Sequence, residues 1–277
     1  MERNSTLCPK CRRLVSLDES ECPYCGLQNP GSRWRRVLPT SLDPNAMDPV
    51  KALLILNAVF YFLSILLNPS STGFSLNPLT FFSPSQGSLL LLGATGTLPI
   101  DSFGRWWSLL SASFLHGGIL HILFNMLALY QLGPFVLLEF GLYRFIVIYL
   151  LSGVAGFFVS YVAGVPFTIG ASASICGLIG AILYFGKSRG GFYGEGTYRQ
   201  AMGWVVGLVL FGLIIPGINN WAHGGGLLAG LGLGFLLGYE ERSRENGLHR
   251  LLGALCLVAT GAALLFNLLQ SLYHWIL

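Results

Sequence analysis

Charge is what this sequence has least of. Asp, Glu, Lys and Arg make up 10% of its 277 residues while hydrophobic residues make up 53%, so a water-clothed globule is excluded and a membrane protein is what remains. Nor does the chain open on a basic flank, a short apolar stretch and a small-residue cleavage site. Its first apolar run begins near Ala52, and no cleaved signal peptide is expected. Cysteine is sparse as well: four of the six lie within the first 25 residues, and Cys176 and Cys256 stand alone inside apolar runs. The first group needs an explanation of its own; the other two fit ordinary buried thiols.

Long apolar runs take the place of charge. Seven approach transmembrane length, about 17 to 25 residues, at 52–67, 119–136, 143–165, 171–185, 201–215, 222–239 and 251–272. The fourth and fifth are short, which is tolerable where a polar end lines a protein-enclosed cavity. With the N-terminus placed in the cytoplasm, fifteen of the sixteen Lys and Arg fall on the inner side and only Arg105 falls outside, as the positive-inside rule requires. That asymmetry accounts for the formal net charge of +4 without nucleic acid, which is not expected as a partner, and it predicts an outer C-terminus. The first outer loop, 68–118, contains Leu89 to Leu92 and Trp106-Trp107; so apolar a loop is expected to lie partly in the membrane interface. The linker from Pro30 to Asp48, with Arg33, Arg35 and Arg36, is expected to hug the anionic inner leaflet.

Polar side chains at membrane depth are costly and mark function. His121 and Asn125 occupy the first turns of span two, Ser172 and Ser174 the start of span four, and His223 the start of span six. All three spans run inward, so these residues share one level near the outer face, and none is expected to continue toward the cytoplasm. Gly226, Gly230, Gly234 and Gly238 recur every four residues along span six, as do Ala173, Gly177 and Ala181 along span four. Such small-residue stripes let membrane helices approach closely and are expected to bring Ser172 and His223 together. A serine hydroxyl needs a neighbouring base to become a nucleophile, and His223 is the only histidine in spans four to six. The oxyanion formed on attack needs donors, for which the Asn125 amide, the His121 imidazole and the Ser172 backbone N–H are candidates. No Asp or Glu lies at this depth to orient His223, so a Ser-His dyad is expected rather than a triad.

Three of these segments together resemble the rhomboid family. Gly170-Ala171-Ser172-Ala173 with Gly177 is similar to its G-x-S-x nucleophile motif. His121-Ile-Leu-Phe-Asn125 is similar to the H-x-x-x-N of its second helix, and Ala222-His223-Gly-Gly-Gly226 with Gly230 to the A-H-x-x-G-x-x-x-G of its sixth. The resemblance spans about Lys51 to Glu240. It implies an all-α polytopic fold, a six-helix rhomboid core with one added C-terminal transmembrane helix. It also implies cleavage of transmembrane substrates near the outer membrane boundary, with Ser172 as nucleophile, His223 as base and His121 with Asn125 around the oxyanion, and no cofactor for catalysis. Three positions depart from the pattern: Ala173 where glycine is common, Cys176 where an aromatic often packs on the catalytic histidine, and Trp107-Ser108, with Arg105 displaced, where the outer loop usually shows Trp-Arg.

Cys8-Pro-Lys-Cys11 and Cys22-Pro-Tyr-Cys25 are two knuckles separated by ten residues, the spacing of a tetrahedral structural zinc site. A disulfide reading would need an oxidising compartment, whereas the charge count puts this segment in the cytoplasm. The segment resembles a zinc ribbon, and four cysteines leave no open metal position for catalysis.

The expected organisation is a zinc-ribbon-like domain over 1–29, a basic linker over 30–49, the six-helix core over 50–249 and the added helix over 250–277. The expected partners are the lipid bilayer and membrane-protein substrates, in a bacterial inner membrane. The alternatives are a catalytically silent rhomboid-like protein that binds membrane segments, and a channel or transporter using intramembrane His and Asn, against which polar residues confined to one depth argue.

Overall fold

The computed structural model describes residues 5–8, 13–30, 48–68, 81–215 and 217–276. Cys11 and most of the basic linker lie outside the described residues. The chain divides into two compact units, Met1–Ala52 and Leu53–Leu277.

In the first unit, strands β1 (Ser5–Leu7) and β2 (Leu14–Ser16) pair antiparallel, with Thr6 opposite Val15. Cys8, Val15 and Cys22 form its small buried cluster, with Cys25 and Leu27 packed against it. A core of this size cannot hold a fold by burial alone.

The second unit carries the long helices. Helix α1 is Pro49–Leu66. The outer loop then folds into the short helices α2 (Gln86–Leu91), α3 (Thr97–Phe103) and α4 (Ser108–Ser111) and a 3-10 turn, Ala112–Phe114. Helices α5 (Ile119–Phe140), α6 (Leu142–Val162), α7 (Ser172–Arg189), α8 (Gly191–Ile214), α9 (Asn220–Leu237) and α10 (Gly247–Ile276) complete the chain. Five of them, α1, α5, α6, α8 and α10, are long and apolar enough to cross a membrane. The other two long helices, α7 and α9, are 18 residues each, and Gly177, Gly180, Gly226, Gly230 and Gly234 sit where they pack on one another. The fold is thus an all-α polytopic one, with helices at each of the seven expected runs. The fifth is longer than its apolar run, because Gly191–Gln200 continues the helix beyond it.

Helices α7 and α9 meet backbone to backbone. A Cβ added to Gly226 would overlap the Ala173 carbonyl, and one on Gly230 would overlap the carbonyl of Gly177. Glycine at these two positions lets the helices close to a distance no larger side chain permits. Helix α6 covers the pair from the side, its Gly156 2.9 Å from the Ala173 Cβ if a Cβ were built on it.

The outer loop packs into the protein more than the interface reading anticipates. Leu89, Leu92, Ala94 and Ile100 are buried, while Leu98, Phe103 and Trp106 stay exposed, so the apolar residues divide between core and surroundings. Arg105, the one outlier of the charge count, is buried and donates from Nη1 to the Leu90 carbonyl at 2.7 Å. At the opposite end, Arg144 is fully buried and reaches Glu240 at 3.1 Å and the Ser243 carbonyl at 2.9 Å, while Glu245 accepts its amide at 2.8 Å. This basic residue therefore ties the start of α6 to the turn after α9.

Candidate active site

Ser172 is the first residue of α7, and its placement depends on the turn before it. Gly170 has φ +121°, a left-handed backbone that side chains resist, and its amide donates to the Ala112 carbonyl at 2.9 Å. Upstream, Thr168 exchanges backbone bonds with Thr95 at 2.7 and 3.1 Å. The chain is thus held extended, turned once at Gly170 and released into a helix whose first amides have no intrahelical acceptor. Those N–H groups carry the positive end of the helix dipole beside the Ser172 hydroxyl.

His223 lies in the first turn of α9. Asn219 caps that helix, its Oδ1 accepting the Ala222 amide at 3.1 Å, while its Nδ2 donates to Ser160 Oγ at 2.6 Å and Thr168 Oγ1 at 2.9 Å. One side chain thereby joins the His223 helix, α6 and the extended segment that leads to Ser172. Ala173 and Ala222, the neighbours of the two residues, share a buried cluster with Ile100, Leu109, Ala112 and Phe157. His223 Nδ1 is buried without a hydrogen-bond partner among the described residues. Beside His223 lies a cavity of about 240 Å³ lined by Cys176, Val205, Leu208, Val209 and Leu213 among others; Cys176 is itself buried.

His121 faces the same turn. Its Nδ1 accepts the Gly117 amide at 3.2 Å, which leaves the proton on Nε2. A methyl carbon built on Gly170 would lie 2.7 Å from His121 Nε2 and 3.8 Å from Ser172 Oγ, so the donor and the hydroxyl border one small volume. Asn125 is buried and donates from Nδ2 to the His121 carbonyl at 2.8 Å, a bond within its own helix. Ser174 sits 3.4 Å from Ser113, Oγ to Oγ, in the core behind the site.

Two residues of this neighbourhood escape a reading of motifs. His116 is fully buried, its ring edge-on to His121 at 5.1 Å between centroids, with neither nitrogen bonded to a described residue. The only signal for it is a histidine five residues before His121 in a loop already noted as apolar. Asn219 is the other; an Asn two residues before the Trp-Ala-His start of a helix is a capping signal. The structure also corrects the expectation that polar residues stop at one level. Gln131, Thr197, Gln200 and Trp204 line a second cavity of about 100 Å³ between α5, α7 and α8, and Gln131 lies about 15 Å along α5 from His121 at 1.5 Å per residue. Gln131 and Gln200 remain exposed at its rim.

Among the cysteines, Cys8, Cys22 and Cys25 bring their sulfurs within 4.8 Å of one another, with Cys8 and Cys25 3.7 Å apart. That is far beyond a disulfide bond and close to the separation of two thiolates held at about 2.3 Å around a tetrahedral metal. Burial pushes the Cys22 thiol up, but the amides of Tyr24 and Cys25 and the thiols of Cys25 and Cys8 outweigh it and pull it down to about 7. The donor set therefore suits a soft divalent ion, and Gly26, with φ +70° and its amide on the Cys22 carbonyl at 2.9 Å, closes the knuckle.

Five helices long and apolar enough to cross a membrane, with the glycine-mediated pair of α7 and α9 packed among the long helices, define an integral membrane protein. Residues 104–240 match the Rhomboid domain. The chain is 34% identical over 171 residues to rhomboid protease GluP of Bacillus subtilis (strain 168), covering 62% of this chain and 33% of that protein. It is 35% identical to RHOMBOID-like protein 4 of Arabidopsis thaliana over 58% of this chain and 41% of the relative, and 35% identical to RHOMBOID-like protein 5 of the same plant over 56% and 51%. The match thus spans about a third to a half of these relatives' own length. The chain belongs to the rhomboid family, a family of intramembrane serine proteases.

Proposed function

We propose that this chain is a serine endopeptidase that hydrolyses peptide bonds in transmembrane segments of other membrane proteins. The observation that carries the reading is the shared volume at Gly170, bordered by Ser172 Oγ and a His121 Nε2–H whose other nitrogen is already committed. In the proposed reaction His223 takes the Ser172 proton as Oγ attacks the scissile carbonyl. The resulting oxyanion is met by the Ser172 amide and His121 Nε2–H, with Asn125 holding the His121 turn. His223 then returns the proton to the leaving amine, and water, deprotonated by His223, cleaves the acyl-serine. Among the described residues no group bonds His223 Nδ1, and the dyad reading calls for none.

Labelling by a fluorophosphonate tests this directly. Ser172 should label in the wild type and not in Ser172→Ala, and labelling should be strongly slowed in His223→Ala. A protein that binds membrane segments without cutting them would not label at Ser172. That alternative draws on Cys176, which leaves open space beside His223 where an aromatic would restrain the ring.

The organisation proposed is a zinc-ribbon-like domain over 1–29, a basic linker over 30–49, the protease core over 50–249 and an added helix over 250–277. Cys8, Cys22 and Cys25, with Cys11 as fourth ligand, would hold a zinc ion whose contribution is to the stability of that domain. The membrane proposed is a bacterial inner membrane, with the N-terminus inside and the catalytic level near the outer face.

A further inference from the structure

Helix α10 lies beyond the matched domain and contributes nothing to the dyad itself, yet it is not a plain apolar anchor. The residues it buries include Thr260, Ala263, Leu264, Asn267 and Ser271, spaced so that they form one stripe. Three of the five are polar. In a membrane helix, polar side chains turn toward protein and act where a partner meets them.

Asn267 has such a partner. It is fully buried, and its Oδ1 accepts the indole Nε1–H of Trp107 at 3.0 Å, while the neighbouring Phe266 ring stands edge-on to Trp107 at 5.0 Å. Its Nδ2 occupies the space a Cβ on Gly93 would need, and Gly93 has φ +103°, so position 93 is doubly reserved for glycine. Ser111 Oγ donates to the Gly93 carbonyl at 2.9 Å. From Trp107 the chain passes at once into α4 and the 3-10 turn, whose Ala112 carbonyl accepts the Gly170 amide at 2.9 Å, two residues before Ser172. Helices of four and three residues do not hold their own position. Their place is set by what they touch: α10 at one end, the nucleophile turn at the other, and between them Phe157 of α6, with which Leu109 and Ala112 share a buried cluster, and Thr95, whose Oγ1 accepts from Ser108 Oγ at 2.8 Å.

We propose that α10 braces the nucleophile turn, with Asn267 as a positioning residue acting through Trp107 and the 108–114 segment on Gly170. The inference rests on the protease reading and deepens it, because it makes the added helix part of what aligns Ser172 with His223 and His121. A small displacement of attacking atoms costs rate out of proportion to stability.

The test compares full-length wild type, Asn267→Leu, Trp107→Phe and the double variant in proteoliposomes, reading the rate of fluorophosphonate labelling at Ser172, with the melting temperature measured in detergent. Each single variant should label on the order of tenfold more slowly, with a melting temperature close to that of wild type. The double should be no slower than the slower single, since both remove the same bond. Unchanged labelling in both singles, effects that multiply, or losses that merely follow the melting temperature would overturn the brace. Hydrogen exchange supplies a readout independent of catalysis: peptides covering 166–172 should exchange faster in Asn267→Leu while those within α9 do not. Were the wild type not to label, the protease reading would fail by itself, and unchanged exchange over 166–172 would decide against the brace.

Discussion

His121 has one nitrogen committed to the Gly117 amide and the other aimed at the turn that carries Ser172. Its replacement by Ala should lower kcat by about 10²- to 10³-fold, the usual cost of one oxyanion donor, with little change in KM; steady-state cleavage of a reporter separates the two. Asn219 is expected to behave differently because it has two tasks. Asn219→Ala should cost about 1 kcal/mol from the lost cap and also lower kcat. Asn219→Ser should recover most of the stability, since a hydroxyl still caps the Ala222 amide, but not the rate, since it cannot reach both Ser160 and Thr168. Thermal unfolding in detergent alongside cleavage rates checks both. Ser172, His223 and His121 stand out in the sequence because residue type, spacing and helix position all point to one proposed chemistry. His116 does not, because a buried imidazole in a loop looks the same in sequence as an exposed one, and Asn219 does not, because its partners lie 51 and 59 residues away.

At the scale of elements, the four-residue glycine repeat of α9 was legible as a packing stripe, and the structure sorts its members. Gly226 and Gly230 touch the backbone of α7, Gly234 would bring a Cβ to 3.2 Å from the Tyr184 ring, and Gly238, with φ +68°, ends the helix. A periodicity cannot separate a contact from a terminus. Gly230→Ala is therefore expected to destabilise the fold by about 1–3 kcal/mol through overpacking, whereas Gly232→Ala, with open space around it, should be neutral. Unfolding of the two variants under one condition makes the comparison. The outer loop was legible as unusually apolar but not as three short helices. Some of its hydrophobic residues are covered by segments distant in sequence, as the half-buried Trp107 is by Phe266 and Asn267, and local pattern carries no trace of that.

For the whole molecule, a chain with this little charge has to place it deliberately, and Arg105 and Arg144 show two ways of doing so, one capping a loop carbonyl and one buried in a network at the other end. The N-terminal unit follows separate physics. It should bind one zinc per chain, lose it on Cys22→Ser and retain proteolysis in detergent. Because metal ligation needs the thiolate and the Cys22 thiol stands near 7, zinc affinity should fall as pH drops through about 7; metal titration from pH 8 to 5.5 in a reduced sample measures it. For the membrane unit, reconstitution of the full chain with a reporter transmembrane substrate decides whether it cuts. Cleavage by the wild type that disappears in both Ser172→Ala and His223→Ala is the predicted result. Cleavage that survives Ser172→Ala would contradict it.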